Sequence, residues 1–139
     1  PTRATLVAAL RYTDADAALE FLTRTFGFEA HAVYKDDRGS VLHAELSFGN
    51  GMIMVGPVGD TPFGKLMRQP REAGGVTASL YAIVADPGAH HERVKAAGFE
   101  IVMPLRDESY GGRGYSCRDP EGHVWTFGTY DPWTAEPPK

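Results

Sequence analysis

A chain of 139 residues with a formal net charge of −4 and no basic run lacks the electrostatic footprint of a nucleic-acid binder. Hydrophobic residues make up 42% and charged residues 23%, enough for a core without disulfides, and the lone Cys117 excludes an internal disulfide or a cysteine zinc cluster. No apolar run approaches the ~20 residues that cross a bilayer, and no basic stretch followed by an apolar core opens the sequence, so a cytoplasmic protein without a membrane partner is expected.

Leu6 to Tyr12 reads as a short, mostly apolar strand. Thr13 and Asp14 follow as helix N-caps, whose side-chain oxygens accept orphan backbone N–H groups. Ala15, Ala18, Leu19, Leu22 and Phe26 recur at helical spacing and form one apolar stripe, ended by Gly27 as a left-handed C-cap. Phe28 to Tyr34 is the next strand and Lys35 to Gly39 a turn. Val41 to Phe48 alternates, with Leu42, Ala44, Leu46 and Phe48 expected toward the core and His43, Glu45 and Ser47 away from it. Gly49-Asn50-Gly51 is a tight turn into the strand Met52 to Val55.

Residues 58–75 change character, with several Gly and Pro together with Lys65, Arg68 and Arg71. They read as a linker, with one turn of helix around Phe63 to Met67. Val76 to Ala85 is then a strand with Thr77, Ser79, Tyr81 and Ile83 on one face. Asp86-Pro87 starts a helix whose inner stripe uses His90 or His91, Val94 and Ala97, with Gly98 at its end. His90 and His91 have charged neighbours and are expected to be exposed. Phe99 to Met103 is a strand, followed by an irregular stretch to Gly114.

The chain closes on Arg118-Asp119-Pro120-Glu121-Gly122-His123-Val124-Trp125-Thr126-Phe127-Gly128, which reads as strand, tight turn, strand. Trp125 and Phe127 fall on one side and are expected in the core; Val124, Thr126 and Gly128 fall on the other. The halves repeat. Gly27-Phe28-Glu29 matches Gly98-Phe99-Glu100, Asp36 matches Asp107 and Gly51 matches Gly122, each 71 residues on, while Asp14 to Asp86 differs by one. The organisation expected is a first module at 5–57, a linker at 58–75, a second module at 76–130 and a tail at 131–139.

The closing hairpin, the Tyr110-Gly111-Gly112-Arg113-Gly114-Tyr115 segment before it and the first-half partner pattern resemble the glyoxalase/bleomycin-resistance superfamily, also called vicinal oxygen chelate proteins. The resemblance covers roughly residues 5 to 130. It implies an α+β fold of two tandem βαβββ modules whose curved sheets surround a cavity, and it implies homodimers, which are common among members. It also implies a small-molecule ligand, because the superfamily joins metalloenzymes with metal-free drug-binding proteins.

Its metalloenzymes hold a divalent metal on the first and last strands of each half. Those positions fall here at Val7, Met54 or Val55, Ser79 and Thr126. These residues lack the imidazoles and carboxylates such a site needs, so no metal and no other cofactor is expected. The expected ligand-binding residues are Arg11, His43, Glu45, Ser79, Tyr81, Tyr110 and Thr126. His43 and Glu45 point the same way from their strand, either into the cavity as a polar wall or onto a solvated or dimer-facing surface. Arg11 either places a charge in the cavity or forms a salt bridge at the sheet end. Cys117 reads as a packed thiol.

Three functions remain open at this point. The first is a metal-free protein that binds a small, partly aromatic polar molecule, with antibiotic resistance as its physiological form. The second is a lyase or other enzyme using His43 and Glu45 as acid and base or as displaced metal ligands. The third is a structural dimer whose cavity its own side chains fill.

Overall fold

The computed structural model describes residues 2–136 and 138. The chain divides into one compact unit up to Ala73 and a second from Gly74. The first contains β1 (Ala8–Tyr12), α1 (Ala15–Phe21), β2 (Glu29–Lys35), β3 (Val41–Phe48) and β4 (Gly51–Pro57). The second contains β5 (Leu80–Ile83), α3 (Pro87–Ala96), β6 (Glu100–Asp107), β7 (Arg113–Arg118) and β8 (Val124–Gly128). Each is therefore a βαβββ module. The segment between β4 and β5 holds a 3₁₀ turn (Gly64–Leu66) and the one-turn helix α2 (Pro70–Ala73).

The sheets have matching orders, β1-β4-β3-β2 and β5-β8-β7-β6. The first strand of each module pairs in parallel with the last, and the other neighbours are antiparallel. One face of each sheet is closed by its helix. In the first unit Leu10, Tyr12, Ala44, Leu46, Ile53 and Val55 pack with Ala18, Leu22 and Phe26, all buried. In the second, Tyr115, Cys117, Trp125 and Phe127 pack beneath His90 and Val94 of α3. Burying each Leu, Ile, Val or Phe side chain of these cores contributes about 1.5–3 kcal/mol.

The helices start alike because their caps are alike. Asp14 accepts the N–H of Ala17 at 2.9 Å and Asp86 that of Ala89 at 3.0 Å, and both have extended φ (−116° and −129°). They end alike at Gly27 and Gly98, whose φ values of 96° and 86° a side chain rarely adopts. Between those points the first module is one residue longer. A π turn at Leu22–Phe26, ending α1, takes up that residue.

The ladders refine the repeat. Leu46 pairs with Ile53 and Cys117 with Trp125, so equivalent residues lie 117 − 46 = 71 apart on β3 and β7 but 125 − 53 = 72 apart on β4 and β8. The β7–β8 turn carries the extra residue. Gly51, expected to match Gly122, is therefore level with His123.

Three further expectations change. β5 begins at Leu80 rather than Val76, because Leu80 is already level with Trp125, near the start of β8. Residues before Ser79 run past the end of the neighbouring strand. Leu42 is 53% exposed and Val41 buried, the reverse of a strict alternation. Tyr34 pairs with His43 and Lys35 with Val41, so Leu42 is the extra residue of a β-bulge, which shifts the pleat. His90 is buried, at 6% exposure, because its Nδ1 shares a hydrogen bond with the Tyr115 hydroxyl and its ring lies tilted against that of Phe127, centroids 4.0 Å apart.

Candidate functional site

The face of the second sheet opposite α3 is set by alternation. Tyr115 and Cys117 point to the helix, so Gly114 and Ser116 face away; Trp125 and Phe127 point to the helix, so Thr126 and Gly128 face away. On that outer face lies a cavity of about 240 Å³, within the second unit. Its lining includes Tyr81 from β5, Met103 and Arg106 from β6, Glu108 and Tyr110 from the β6–β7 turn, and Tyr130 after β8.

The floor is made of small residues. Gly114 and Gly128 are direct partners across β7 and β8. A Cβ on Gly128 would stand 2.9 Å from the Tyr81 hydroxyl and 3.1 Å from the Arg113 carbonyl, so Tyr81 can lie across the sheet only over a glycine. Next to them Ser116 and Thr126, again direct partners, share a hydrogen bond of 2.7 Å between their hydroxyls.

The walls are aromatic. The Tyr81 hydroxyl donates to the Tyr130 carbonyl at 2.7 Å, and the Tyr110 and Tyr130 rings meet edge to face at 5.1 Å. Burial, aided by Tyr110 and Asp131, raises the Tyr81 pKa above its ordinary value. Tyr110 sits in a turn closed by Glu108 N–H on Gly112 O at 2.8 Å and Gly111 N–H on Glu108 O at 3.0 Å. Charges are paired at the rim: Arg106 with Glu108 at 3.3 Å and Arg113 with Asp107 at 3.2 Å.

Of the expected residues, the structure brings Tyr81, Tyr110 and Thr126 to this cavity. Ser79 lies just ahead of β5, is exposed and does not line it. Arg11, His43 and Glu45 belong to the first unit. Arg11 Nη1 donates to the Pro57 carbonyl at 3.1 Å, and its guanidinium lies 5.5 Å from the Phe63 ring. His43 Nε2 and Glu45 Oε2 are 3.0 Å apart, half-buried, with the Tyr34 ring 5.8 Å from the imidazole. Sequence reasoning missed Ser116, Met103 and Tyr130. Ser116 was within reach, since the alternation that exposes Thr126 on β8 exposes Ser116 on β7.

The resemblance assigns metal ligands to the positions of Val7, Ser79, Thr126 and Met54 or Val55; of these, Thr126 has its hydroxyl engaged with Ser116. Two hydroxyls with apolar side chains do not suit a divalent cation. Among the described residues, no three His, Cys, Asp or Glu come together in a group that could hold one.

The family model of the Glyoxalase/Bleomycin resistance protein/Dioxygenase superfamily matches residues 5–127. The chain belongs to this superfamily. Its fold is similar to that of TioX from Micromonospora sp. ML1, with a TM-score of 0.70 and 37% identity over 90% of this chain and 97% of that one. It is also similar to the fosfomycin resistance protein FosX from Listeria monocytogenes, with a TM-score of 0.67 and 17% identity over 96% and 98% of the two chains; that likeness is one of fold. An uncharacterized protein of Mycobacterium tuberculosis (strain ATCC 25618 / H37Rv) is 27% identical over 115 residues, 83% of this chain and 68% of that protein. As a member of the superfamily the chain has its two-module α+β architecture. Among the described residues, no helix is long and apolar enough to cross a membrane.

Proposed function

We propose that this superfamily member is a metal-free protein that binds a small, partly aromatic polar molecule. The observation that carries the reading is the cavity in the second unit, where Tyr81, Tyr110 and Tyr130 stand around Gly114, Gly128 and the Ser116–Thr126 hydroxyl pair. Aromatic walls over a flat floor favour a planar body, and hydroxyls with paired charges at the rim favour polar edges. A fatty acid would meet too many polar groups here. The donor set at the usual metal positions supports binding without a metal, and sequestration of an antibiotic is a physiological form of such binding that fits the superfamily. We further propose that the protein acts as a cytoplasmic homodimer.

An enzymatic reading rests on a different observation, the 3.0 Å contact between His43 and Glu45 on the first unit. A carboxylate so placed orients an imidazole for proton transfer. Calorimetry of the full chain against aromatic antibiotics, short 2-oxo-aldehydes and fatty acids separates the two. Saturable binding of an aromatic compound that is lost in Tyr81→Ala supports the first. Turnover of a 2-oxo-aldehyde adduct that is lost in His43→Gln supports the second. Tight binding of fatty acids alone overturns both.

A further inference from the structure

Four side chains stand in one row across the second sheet. Tyr81 is level with Thr126, Thr126 with Ser116 and Ser116 with Met103, each on a neighbouring strand. The row has an aromatic ring at one end, a thioether at the other and two hydroxyls between them, and all four line the cavity. Because both hydroxyls stand on laddered strands, their positions are held by the backbone.

The hydroxyl pair has a defined hydrogen-bonding capacity. Each hydroxyl has one proton to donate and two lone pairs to accept. The 2.7 Å bond between them uses one proton. What is left is one O–H and spare lone pairs on an adjacent oxygen, a donor and an acceptor side by side. The ligand edge that complements this arrangement has an acceptor beside a donor, as in the C=O and N–H of a cyclic amide. The charges around the cavity bear on the ligand's own charge. Arg106 faces Glu108 and Arg113 faces Asp107, and the Tyr81 hydroxyl already donates to the Tyr130 carbonyl. A charged ligand would have to compete with a partner already in place.

We propose that the Ser116–Thr126 pair reads an uncharged planar ligand of the lactam or cyclic-imide class through its neighbouring N–H and C=O, with Tyr81 and Met103 flanking the ring. This deepens the binding reading above and rests on it. N-methylation is the discriminating change in the ligand. It removes the donor and sets a methyl group against the hydroxyls, and a site built to hydrogen-bond rejects an analogue that lacks the group it reads. Thr126→Val is the discriminating change in the protein, since it replaces the hydroxyl with a methyl at nearly constant shape.

The test is a chemical-shift titration of the isotope-labelled full chain with isoindolin-1-one, its N-methyl derivative and 2-naphthoate, a planar anion. The expected result is saturable shifts at Gly114, Ser116 and Thr126 with the lactam, and affinity about tenfold weaker for the N-methyl compound. In Thr126→Val, with its spectrum otherwise that of the folded protein, the preference should shrink to about twofold. Equal affinity for the two lactams, tighter binding of 2-naphthoate, or an undiminished preference in Thr126→Val overturns the lactam inference and leaves the general binding function standing. Absence of saturable shifts with all three compounds overturns the lactam inference; if the aromatic panel also fails to bind, the binding function falls with it.

Discussion

The indole N–H of Trp125 donates to Oδ2 of Asp119 at 3.0 Å, six residues back in the same hairpin. Oδ1 of Asp119 accepts the backbone N–H groups of Glu121 at 3.0 Å and His123 at 3.1 Å. One carboxylate, 1% exposed, therefore shapes the β7–β8 turn and anchors the largest side chain of the core beneath it. Trp125 belongs to β8 and stacks on Phe127 of the same strand, which carries Thr126 and Gly128 on its other face.

Asp119→Ala should accordingly lower stability by about 2–4 kcal/mol, since it leaves a buried indole N–H and two turn N–H groups without their acceptor. Asp119→Asn keeps one carbonyl oxygen and should cost less. Urea denaturation followed by tryptophan fluorescence measures both; an alanine variant as stable as the parent would contradict the role given to Asp119.

Tyr81 supplies the cavity with a ring face fixed by its bond to Tyr130. Removing it in Tyr81→Ala should weaken binding of an aromatic ligand by about 1–2 kcal/mol, the scale of one aromatic contact and its buried area. Gly128→Ala should have a similar effect, because the new Cβ on the cavity floor would meet the Tyr81 hydroxyl. Calorimetry with any ligand found in the panel checks both variants; unchanged affinity in each would remove Tyr81 from the site.

Alkaline pH should destabilise the fold. Burial first, and the nearby Asp119 charge second, push the Cys117 thiol up to about 12 from its ordinary 9.0. Burial likewise raises Tyr115 above 10.0. The unfolded chain gives up these protons first, so their contribution is intact below about pH 9 and is lost as pH rises toward the folded values. Each group adds a slope of up to about 1.4 kcal/mol per pH unit in that window. Urea midpoints between pH 7.5 and 10.5 should fall less steeply in Cys117→Ala than in the parent. The native thiol should also resist a thiol reagent at pH 8 until the chain is unfolded.

Elemental analysis of protein purified without a chelator or a metal-affinity tag should find no stoichiometric zinc, nickel, iron or manganese. One equivalent of any of them, with ligand binding abolished by a chelator, would show that a donor set other than Val7, Ser79, Thr126 and Met54 or Val55 is at work.

The homodimer is checked by light scattering on a sizing column at micromolar concentration. A mass of twice 15.1 kDa is expected, and a clean monomer would dismiss it.

Much of the fold was legible in the sequence because its signals are local. Asp14 and Asp86 cap helices through N–H groups three residues away, Gly27 and Gly98 end them at positive φ, and alternation along β8 alone sends Trp125 inward and Thr126 outward. The internal repeat was visible for the same reason, since equal local patterns recur at a nearly constant offset. What the tertiary structure decided is what depends on a neighbouring strand. The bulge at Leu42 exists only against β2, and the late start of β5 follows from where β8 begins. His90 is buried because Tyr115 and Phe127, on two other strands, meet it with a hydroxyl and a ring. The site was divided in the same way. Tyr81, Tyr110 and Thr126 came from face and loop patterns, but the hydroxyl bond between Ser116 and Thr126 and the glycine floor beneath Tyr81 are set by strand register, which a single strand's sequence does not encode.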